Sequence, residues 1–341
     1  MKRNIGYDLI RIFAFLGVLL VHLSFYVELP NTLERLFSFG ARGVQIFFCL
    51  SAFLAALTYS KYSTNLNYYW NRIKKIMPPY YMTLIIVIIF HTFFYKDVVN
   101  DNFGLGWLRY FLGLNTAFPT NDFKIWSNIN NFWTMGVVLN FYLFFPFFMK
   151  YFNSFNKSVI LFVLAFLFRA LYSSFITFMV PYVEGLDVSF VSWSFFGISY
   201  QFILGIIAYW STLNKNQFKG ITFFVVIIFM GILLDKEAII WGSLTSILLI
   251  AFSNLDLSFI NGNLRKRIIL ISNFSFIIYL VHGFCYDLAY DFLNDYLLIN
   301  NGILWAIITF LLISTFTFIV KKSADYLTRF INMIETEGIK R

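Results

Sequence analysis

Long apolar segments separated by short polar breaks run along almost the whole chain. A helix that crosses a membrane needs about 20 mostly apolar residues, and many of these segments have about that length. The pattern predicts an all-α polytopic membrane protein with ten transmembrane helices and no linker to a second domain. The predicted helices are 6–27, 42–60, 79–95, 132–152, 158–180, 194–212, 219–234, 238–254, 267–290 and 303–321.

Two other stretches have a different apolar pattern. Residues 104–115 are weakly apolar and glycine-rich, which predicts an interfacial or re-entrant segment. After Lys322, apolar residues recur at helical spacing, which predicts an amphipathic helix lying on the membrane surface. We therefore divide the chain into a ten-span membrane domain over 1–322 and a cytoplasmic amphipathic tail over 323–341.

The composition supports a membrane protein and argues against a soluble domain. Hydrophobic residues make up 60% of the chain, charged residues 13%, and the mean hydropathy is +0.73. Soluble domains carry about 25% charged residues, so this chain has too little polar surface to cover itself in water. Its two cysteines, Cys49 and Cys285, lie in apolar segments and are predicted as small core residues. No metal-ligand motif is present in the sequence, and we predict no metal.

The positive charges are distributed unevenly between alternate loops. With ten helices, the side that holds both termini collects 18 Lys and Arg residues, whereas the other side has six. Because cytoplasmic loops carry an excess of Lys and Arg, we expect both termini to be cytoplasmic. Nine or eleven helices would break this alternation. The asymmetry also explains the net charge of +9 without a nucleic-acid partner.

Two polar side chains share one face of the first predicted helix. Arg11 and His22 are separated by three helical turns, so they lie within about 20° of each other and about 16 Å apart along the axis. Asp8 precedes Arg11 by three residues and can neutralise it. Alone, Arg11 could be a snorkelling arginine and His22 a hydrogen-bonded core histidine. Together they indicate a polar line through the membrane, facing the bundle or a wet cavity.

Five short motifs follow one another from residue 8 to residue 282. They are Asp-x-x-Arg-x10-His at 8–22, GVQIFFCLSAFL at 43–54, RIKKIMPPYY at 72–81, FWTMGVVLNFYLFFP at 132–146 and NFSFIIYLVH at 273–282. In this order they resemble the acyltransferase-3 family, which implies a ten-span enzyme that O-acylates cell-surface sugars. Three positions depart from the family pattern, namely Ala52, Lys75 and Val138. Val138 replaces an acidic residue, so no role of that acid is carried over.

Acyl transfer from a thioester to a hydroxyl group needs a base and a site for an anionic coenzyme. Imidazole titrates near neutral pH, which makes His22 the candidate base, and the resemblance implies the same residue. Arg11 is a candidate to hold a phosphate or orient the thioester arm. The cluster Arg72, Lys74 and Lys75 lies on the same predicted side and is a candidate for the coenzyme phosphates. Its alternative interpretation is ordinary loop charge attracted to anionic lipid.

Further residues are predicted to hold the catalytic groups in place or to contact the acceptor. Tyr279 and His282 are three residues apart on one helix face, and His282 falls at a depth similar to that of His22. Trp133, in the fourth-span motif, and Asp8 complete this set. A structural hydrogen bond within the bundle is the alternative for Tyr279 and His282. Arg169 sits in the middle of a predicted helix and needs a partner that the sequence does not identify.

These observations predict a membrane-embedded O-acetyltransferase of the bacterial cytoplasmic membrane. It would move an acetyl group from cytoplasmic acetyl-CoA to a surface polysaccharide or its lipid-linked sugar precursor, with membrane lipid as its other partner. One alternative is a transporter or flippase for a lipid-linked sugar, although no paired inverted repeat is visible in the sequence. Another is an inactive family member that acts in polysaccharide assembly, and Val138 is the feature that favours it.

Overall fold

The structure is a computed structural model that describes residues 3–94, 103–116, 131–183, 186–213, 216–297 and 302–338. These ranges are helical, with short turns and no strand, as predicted. In chain order the helices are α1 Ile5–Leu23, α2 Asn31–Ser38, α3 Gly43–Tyr59, α4 Asn65–Phe94, α5 Phe103–Leu112, α6 Trp133–Tyr151, α7 Phe155–Met179, α8 Phe190–Trp193, α9 Phe195–Ser211, α10 Gln217–Leu233, α11 Glu237–Asn254, α12 Gly262–Asp291 and α13 Gly302–Gly338. Every one of the ten predicted segments overlaps a separate long helix.

Within the described residues, seven helical segments are long and apolar enough to cross a membrane by length and composition. They are α1, the continuous run Asn31–Tyr59 that ends with α3, α4, α7, α11, α12 and α13. The helices α9 and α10 are apolar but have only 17 residues each. The protein is therefore a multi-pass membrane protein, which confirms the class predicted from the apolar pattern.

Helix α4 begins much earlier than the sequence predicted. The prediction started this helix at residue 79, where the apolar segment begins and where Pro78 and Pro79 would fit a helix entry. In the structure α4 begins at Asn65 and includes Pro78 and Pro79, both buried. Tyr68 and Tyr80 are also buried, one on each side of the prolines, so packing on both sides holds the helix together. The basic residues at 72–75 therefore project from a helix rather than from a loop.

Helix α13 also extends beyond its predicted end. It has 37 residues and continues past Lys322 into the predicted tail without a break. Lys321 and Asp325 form a salt bridge of 2.5 Å across the predicted boundary, and Val320 and Ala324 are buried beside it. The segment 323–338 is thus the continuation of the last helix. The division into a membrane domain and a tail at residue 322 stays a prediction.

The core forms where helices approach each other closely. Helix α3 packs against both α1 and α9, and α1 also packs along α12. A Cβ atom at Gly205 of α9 would lie 2.1 Å from the carbonyl oxygen of Cys49 on α3, so only glycine fits there. Cys49 and Cys285 are both free and buried, as predicted. Helix α1 therefore lies against both α3 and α12.

Both described chain ends lie at one end of the helix bundle. The backbone oxygen of Arg3 accepts a hydrogen bond of 3.2 Å from Arg265, at the start of α12. Lys75, in the first half of α4, interacts electrostatically with Arg3. Its neighbour Lys74 forms a salt bridge of 2.7 Å with Glu335, near the end of α13. We call this end of the bundle the basic end. Helices α1 and α12 both start there and run parallel.

Candidate active site

The structure brings His22 of α1 and His282 of α12 into direct contact. His22 Nδ1 lies 2.7 Å from His282 Nε2, and the two rings stack with centroids 4.9 Å apart. The side chain of His282 is fully buried, whereas His22 is half-buried. The contact exists because α1 and α12 are parallel neighbours, so residues at equal depth on the two helices meet. His22, the predicted base, and His282, the residue predicted to support it, therefore form one contacting pair.

The far side of His282 is held by backbone and by α6. His282 Nδ1 lies 2.6 Å from the carbonyl oxygen of Tyr279. The side-chain amide of Asn131 donates to the same carbonyl at 2.6 Å, and the hydroxyl groups of Thr134 and Tyr279 are 3.0 Å apart. Since Asn131 and Thr134 lie at the start of α6, three helices fix the position of the two histidines.

An aromatic group surrounds the end of α1 beyond His22. Phe25 stacks on His22 with ring centroids 5.9 Å apart, and Tyr26 stacks on Trp305 of α13 at 5.5 Å. The hydroxyl of Tyr26 donates a hydrogen bond to Asp287 of α12. Burial, followed by the nearby Asp287 carboxylate, raises the pKa of Tyr26 above its ordinary value. The tyrosine is therefore neutral and serves as a hydrogen-bond donor here.

At the basic end, Asp8 pairs with Arg3 rather than with Arg11 as the helical spacing suggested. Arg3 Nε and Nη2 each lie 2.7 Å from an oxygen of Asp8, which is a bidentate ion pair. This hydrogen bonding raises the pKa of Arg3. Ser272 of α12 donates to Asp8 at 2.6 Å, and Arg11 Nη1 donates to Ser272 at 3.4 Å. Arg11 therefore hydrogen-bonds to the serine, while its interaction with the Asp8 carboxylate is electrostatic.

Arg72 lies between two aromatic rings close to Arg11. Its guanidinium carbon is 5.2 Å from the ring centre of Tyr68 and 5.0 Å from that of Tyr142. Its Nη2 donates to Thr58 at 3.0 Å, while its buried Nε has no hydrogen-bond partner among the described residues. Tyr142 also interacts electrostatically with Arg11. An arginine held this way presents a fixed positive charge with an unused donor.

Lys75 shares this surrounding, and Lys74 does not. The exposed Lys75 interacts electrostatically with both Arg11 and Arg72, and we call these three residues the basic cluster. The ammonium of Lys74 is instead paired with Glu335 at 2.7 Å and lies 5.7 Å from the ring centre of Trp70. Trp70 also donates a hydrogen bond to Glu335. Two of the three predicted coenzyme-binding cations on α4 therefore join Arg11, and the third binds the extension of α13.

Three other residues from the sequence analysis, Trp133, Val138 and Arg169, pack against aromatic or apolar side chains. Trp133 packs edge-on against Phe48 and Trp193, with ring centroids 5.9 and 4.7 Å away. It is the neighbour of Thr134 and reaches the histidine pair only through that residue. Val138 packs against a hydrophobic core cluster. The guanidinium of Arg169 lies over the ring of Tyr200, 5.7 Å from its centre, which supplies the partner that the sequence did not identify.

Four polar residues of these networks escaped the sequence analysis: Ser272, Asn131, Thr134 and Tyr142. Each lies inside or directly before a recognised motif. Serine, threonine and asparagine in membrane helices usually bond to backbone or a neighbouring helix, so their presence alone carries no signal. Only their contacts with Asp8, Tyr279 and Arg72 identify them.

The arrangement combines a candidate nitrogen base on α1 with a candidate anion site that Arg11 of α1 forms with Arg72 and Lys75 of α4. His22 and the basic cluster lie toward opposite ends of α1, which separates them by about 16 Å along its axis. Neutral imidazole can accept a proton, and clustered guanidinium and ammonium groups bind phosphate. Within the described ranges, no group of three or more His, Cys, Asp or Glu residues is placed to hold a metal ion.

Comparisons with known proteins agree with this chemistry. The sequence model of a protein family described as an acyltransferase domain matches residues 4–322. Peptidoglycan O-acetyltransferase OatA of Listeria monocytogenes serovar 1/2a is 26% identical over 209 residues. That match covers 55% of this chain and 32% of the relative, so the chain aligns with about a third of that protein's length. No solved structure matches the chain significantly.

Proposed function

This chain belongs to the acyltransferase-3 family and is a membrane O-acyltransferase, and from that premise we propose its donor and acceptor. It transfers an acetyl group from cytoplasmic acetyl-CoA to a hydroxyl group of an envelope polysaccharide or of its lipid-linked precursor. The relative that matches is named a peptidoglycan O-acetyltransferase, so peptidoglycan is the first acceptor to test. The proposed location is the bacterial cytoplasmic membrane.

The observation that carries this proposal is the contact between His22 and His282. A half-buried imidazole whose Nδ1 is engaged at 2.7 Å keeps its other ring nitrogen available to a substrate. Proton transfer by a positioned imidazole typically contributes about 10²–10⁴-fold to a rate. A transport path has no need of a base held in one orientation by a second buried histidine. The geometry therefore favours acyl transfer over transport.

The basic cluster supports acetyl-CoA as the donor. Coenzyme A carries several phosphate charges. Arg11 and Arg72 both interact with Tyr142, and Lys75 interacts electrostatically with both arginines, so three cations lie together. The nearby carboxylate of Asp8 is already occupied by Arg3, so it leaves much of this positive charge uncompensated. The guanidinium of Arg72, held between the rings of Tyr68 and Tyr142, supplies a fixed positive charge for a phosphate group. Lys74 stays a predicted ligand, although Glu335 holds its ammonium.

The reaction that fits these groups is a direct transfer. His22 takes the proton of the acceptor hydroxyl while the oxygen of that hydroxyl forms a bond to the thioester carbonyl carbon. The tetrahedral intermediate collapses with cleavage of the carbon–sulfur bond. The thiolate of coenzyme A then takes the proton from His22, which restores the neutral base. Arg11, on the same helix, orients the pantetheine arm that spans the distance from the basic cluster to His22.

The proposed topology has ten membrane-spanning helices and cytoplasmic termini. Both described chain ends lie at the basic end of the bundle, where cytoplasmic acetyl-CoA would meet the basic cluster. The 18-to-6 distribution of Lys and Arg residues supports the same orientation through the positive-inside rule. His22 then faces the outer half of the membrane, where the acceptor sugar arrives.

The decisive experiment compares O-acetyl groups on the purified cell wall and surface polysaccharide by proton NMR. A deletion strain carries either the wild-type protein or His22→Gln, at equal levels in the membrane. Acetyl signal restored by the wild type and lost with His22→Gln supports the proposal. Equal restoration by both proteins would eliminate His22 as the base. Unchanged acetylation in the deletion strain, together with less polysaccharide at the surface, would instead support transport.

A further inference from the structure

The hydrogen atom on His282 can be placed from its contacts. His282 Nδ1 lies 2.6 Å from the carbonyl oxygen of Tyr279. A carbonyl oxygen only accepts hydrogen bonds, and a neutral imidazole has one donor and one acceptor nitrogen. Nδ1 of His282 therefore carries the hydrogen, and its Nε2 is the acceptor. The ring is fully buried and its recorded contacts include no carboxylate, so the neutral form is favoured.

The same argument then fixes the hydrogen on His22. His22 Nδ1 lies 2.7 Å from the acceptor Nε2 of His282, so His22 Nδ1 must be the donor. The lone pair of neutral His22 is consequently on Nε2, the nitrogen that does not face His282. A charged His282 would reverse this arrangement, because its Nε2 would donate to His22 Nδ1 and place the hydrogen of His22 on Nε2.

We propose that His282 is a positioning residue that holds His22 in the Nδ1–H tautomer, so that Nε2 takes the proton from the acceptor hydroxyl. The inference rests on the proposed function only in giving His22 the role of base. When Nε2 is protonated, the hydrogen bond from His22 Nδ1 to His282 becomes charge-assisted and stabilises the imidazolium. The proton leaves from the same Nε2 to the departing thiolate, and His282 exchanges no proton.

The helices around this pair hold it in register. The hydroxyl of Tyr286, one turn after His282, donates to the carbonyl of Leu19 at 3.0 Å, one turn before His22. This contact ties α12 to α1 next to the pair. Asn131 binds the carbonyl of Tyr279 that also faces His282. Tyr286 and Asn131 make these hydrogen bonds and neither bond involves an imidazole ring, so the orientation of His282 is set before any substrate binds.

The test uses two substitutions of nearly equal size. In His282→Gln the side-chain carbonyl can accept the hydrogen bond from His22 Nδ1. In His282→Met a side chain of similar length lacks a strong acceptor. Transfer from radiolabelled acetyl-CoA is measured in membranes of the deletion strain that carries each variant, because these membranes contain the natural acceptor and no wild-type enzyme. The tautomer of His22 is measured by ¹⁵N NMR on the full-length protein labelled at histidine. The chain has three histidines, and His22→Gln and His91→Gln assign the signals.

The wild type is expected to show a protonated Nδ1 on His22, and His282→Gln is expected to retain it with kcat within about tenfold. His282→Met is expected to lose the tautomer and about 10²–10⁴ in kcat, in line with the loss seen when a base is left in the wrong tautomer. The KM for acetyl-CoA should stay unchanged in both, since the basic cluster lies toward the other end of α1.

Two results would overturn the inference. One is a wild-type His22 with its hydrogen on Nε2, and the other is a Met variant with the kcat of the Gln variant. The first result needs no variant, so a substitution that fails to fold does not remove the test. Wild-type membranes that transfer no acetyl group would reject the proposed function, whereas the NMR measurement would still decide the tautomer.

Discussion

Lys74 and Lys75 are neighbours with the same charge, but they project from α4 into different surroundings. Adjacent residues of a helix are about 100° apart around its axis, so one faces the extension of α13 and the other faces Arg11 and Arg72. Lys74 is neutralised by Glu335, whereas Lys75 lies among other cations. From the sequence alone the two lysines were equivalent candidates for the coenzyme phosphates.

This difference predicts unequal effects on coenzyme binding. Lys75→Met should weaken the binding of acetyl-CoA about five- to tenfold, equivalent to about 1–1.4 kcal/mol, because it removes a cation from the basic cluster. Lys74→Met should change the dissociation constant less than about twofold, since Glu335 already neutralises the Lys74 ammonium. Isothermal titration calorimetry on the purified full-length variants measures both values. Equal losses in the two variants would contradict the assignment.

Asp8 shows a second limit of reasoning from single residues. Its spacing from Arg11 is favourable for a helix ion pair, but Arg3 reaches it with two nitrogen atoms from outside the helix. A bidentate pair is stronger and more specific than a single contact. The sequence offered both arginines at short range, and only the path of the chain before α1 decides between them.

At the scale of elements, proline misled the prediction for α4. Proline usually breaks or kinks a helix, because it removes a hydrogen-bond donor and clashes with the preceding turn. Pro78 and Pro79 would therefore be expected to interrupt α4. Here the residues on both sides are buried against other helices, and the hydroxyl of Thr83 donates to the carbonyl of Pro79 at 2.9 Å. Tertiary contacts therefore outweigh the local cost and carry the basic residues of α4 on a rigid helix.

The close approach of α3 and α9 gives a second prediction. Gly205→Ala should destabilise the protein by about 1–3 kcal/mol, the usual cost of overpacking, because its Cβ would lie 2.1 Å from the carbonyl oxygen of Cys49. Gly262→Ala is the matched control, since no atom lies within 4 Å of a Cβ there. Thermal unfolding in detergent should show a lower Tm for Gly205→Ala and an unchanged one for Gly262→Ala. Equal Tm values for the two variants would show that α3 and α9 are further apart at Gly205 than the 2.1 Å approach indicates.

At the scale of the whole molecule, the two parts of the site lie toward opposite ends of the bundle. The parallel course of α1 and α12 produces this layout, because both helices contribute to the Asp8 network and each contributes one histidine to the pair. Donor and acceptor can therefore approach from different sides of the membrane. A layout of this kind suits an enzyme that uses a cytoplasmic coenzyme to modify a polymer outside the cell.

The proposed orientation predicts which loops are accessible from outside. The cysteine of Lys236→Cys, between α10 and α11, should react with a membrane-impermeant maleimide in intact cells. Lys157→Cys, at the α6–α7 turn, should react only after permeabilisation. Cys49 and Cys285 are buried, so background labelling should be low, and the unsubstituted protein measures it. Labelling of Lys157→Cys in intact cells would reverse the orientation.

The sequence alone determined the class of this protein and identified His22 as the candidate base. Apolar segments of membrane length fix the helices because lipid offers no partner for an unpaired backbone, and the five ordered motifs led to the acyltransferase-3 family. The tertiary structure decided which residues meet. It paired His22 with His282, gave Asp8 to Arg3, and separated Lys75 from Lys74. These contacts join residues on different helices or depend on side-chain direction, so they follow from how the helices pack rather than from any local pattern.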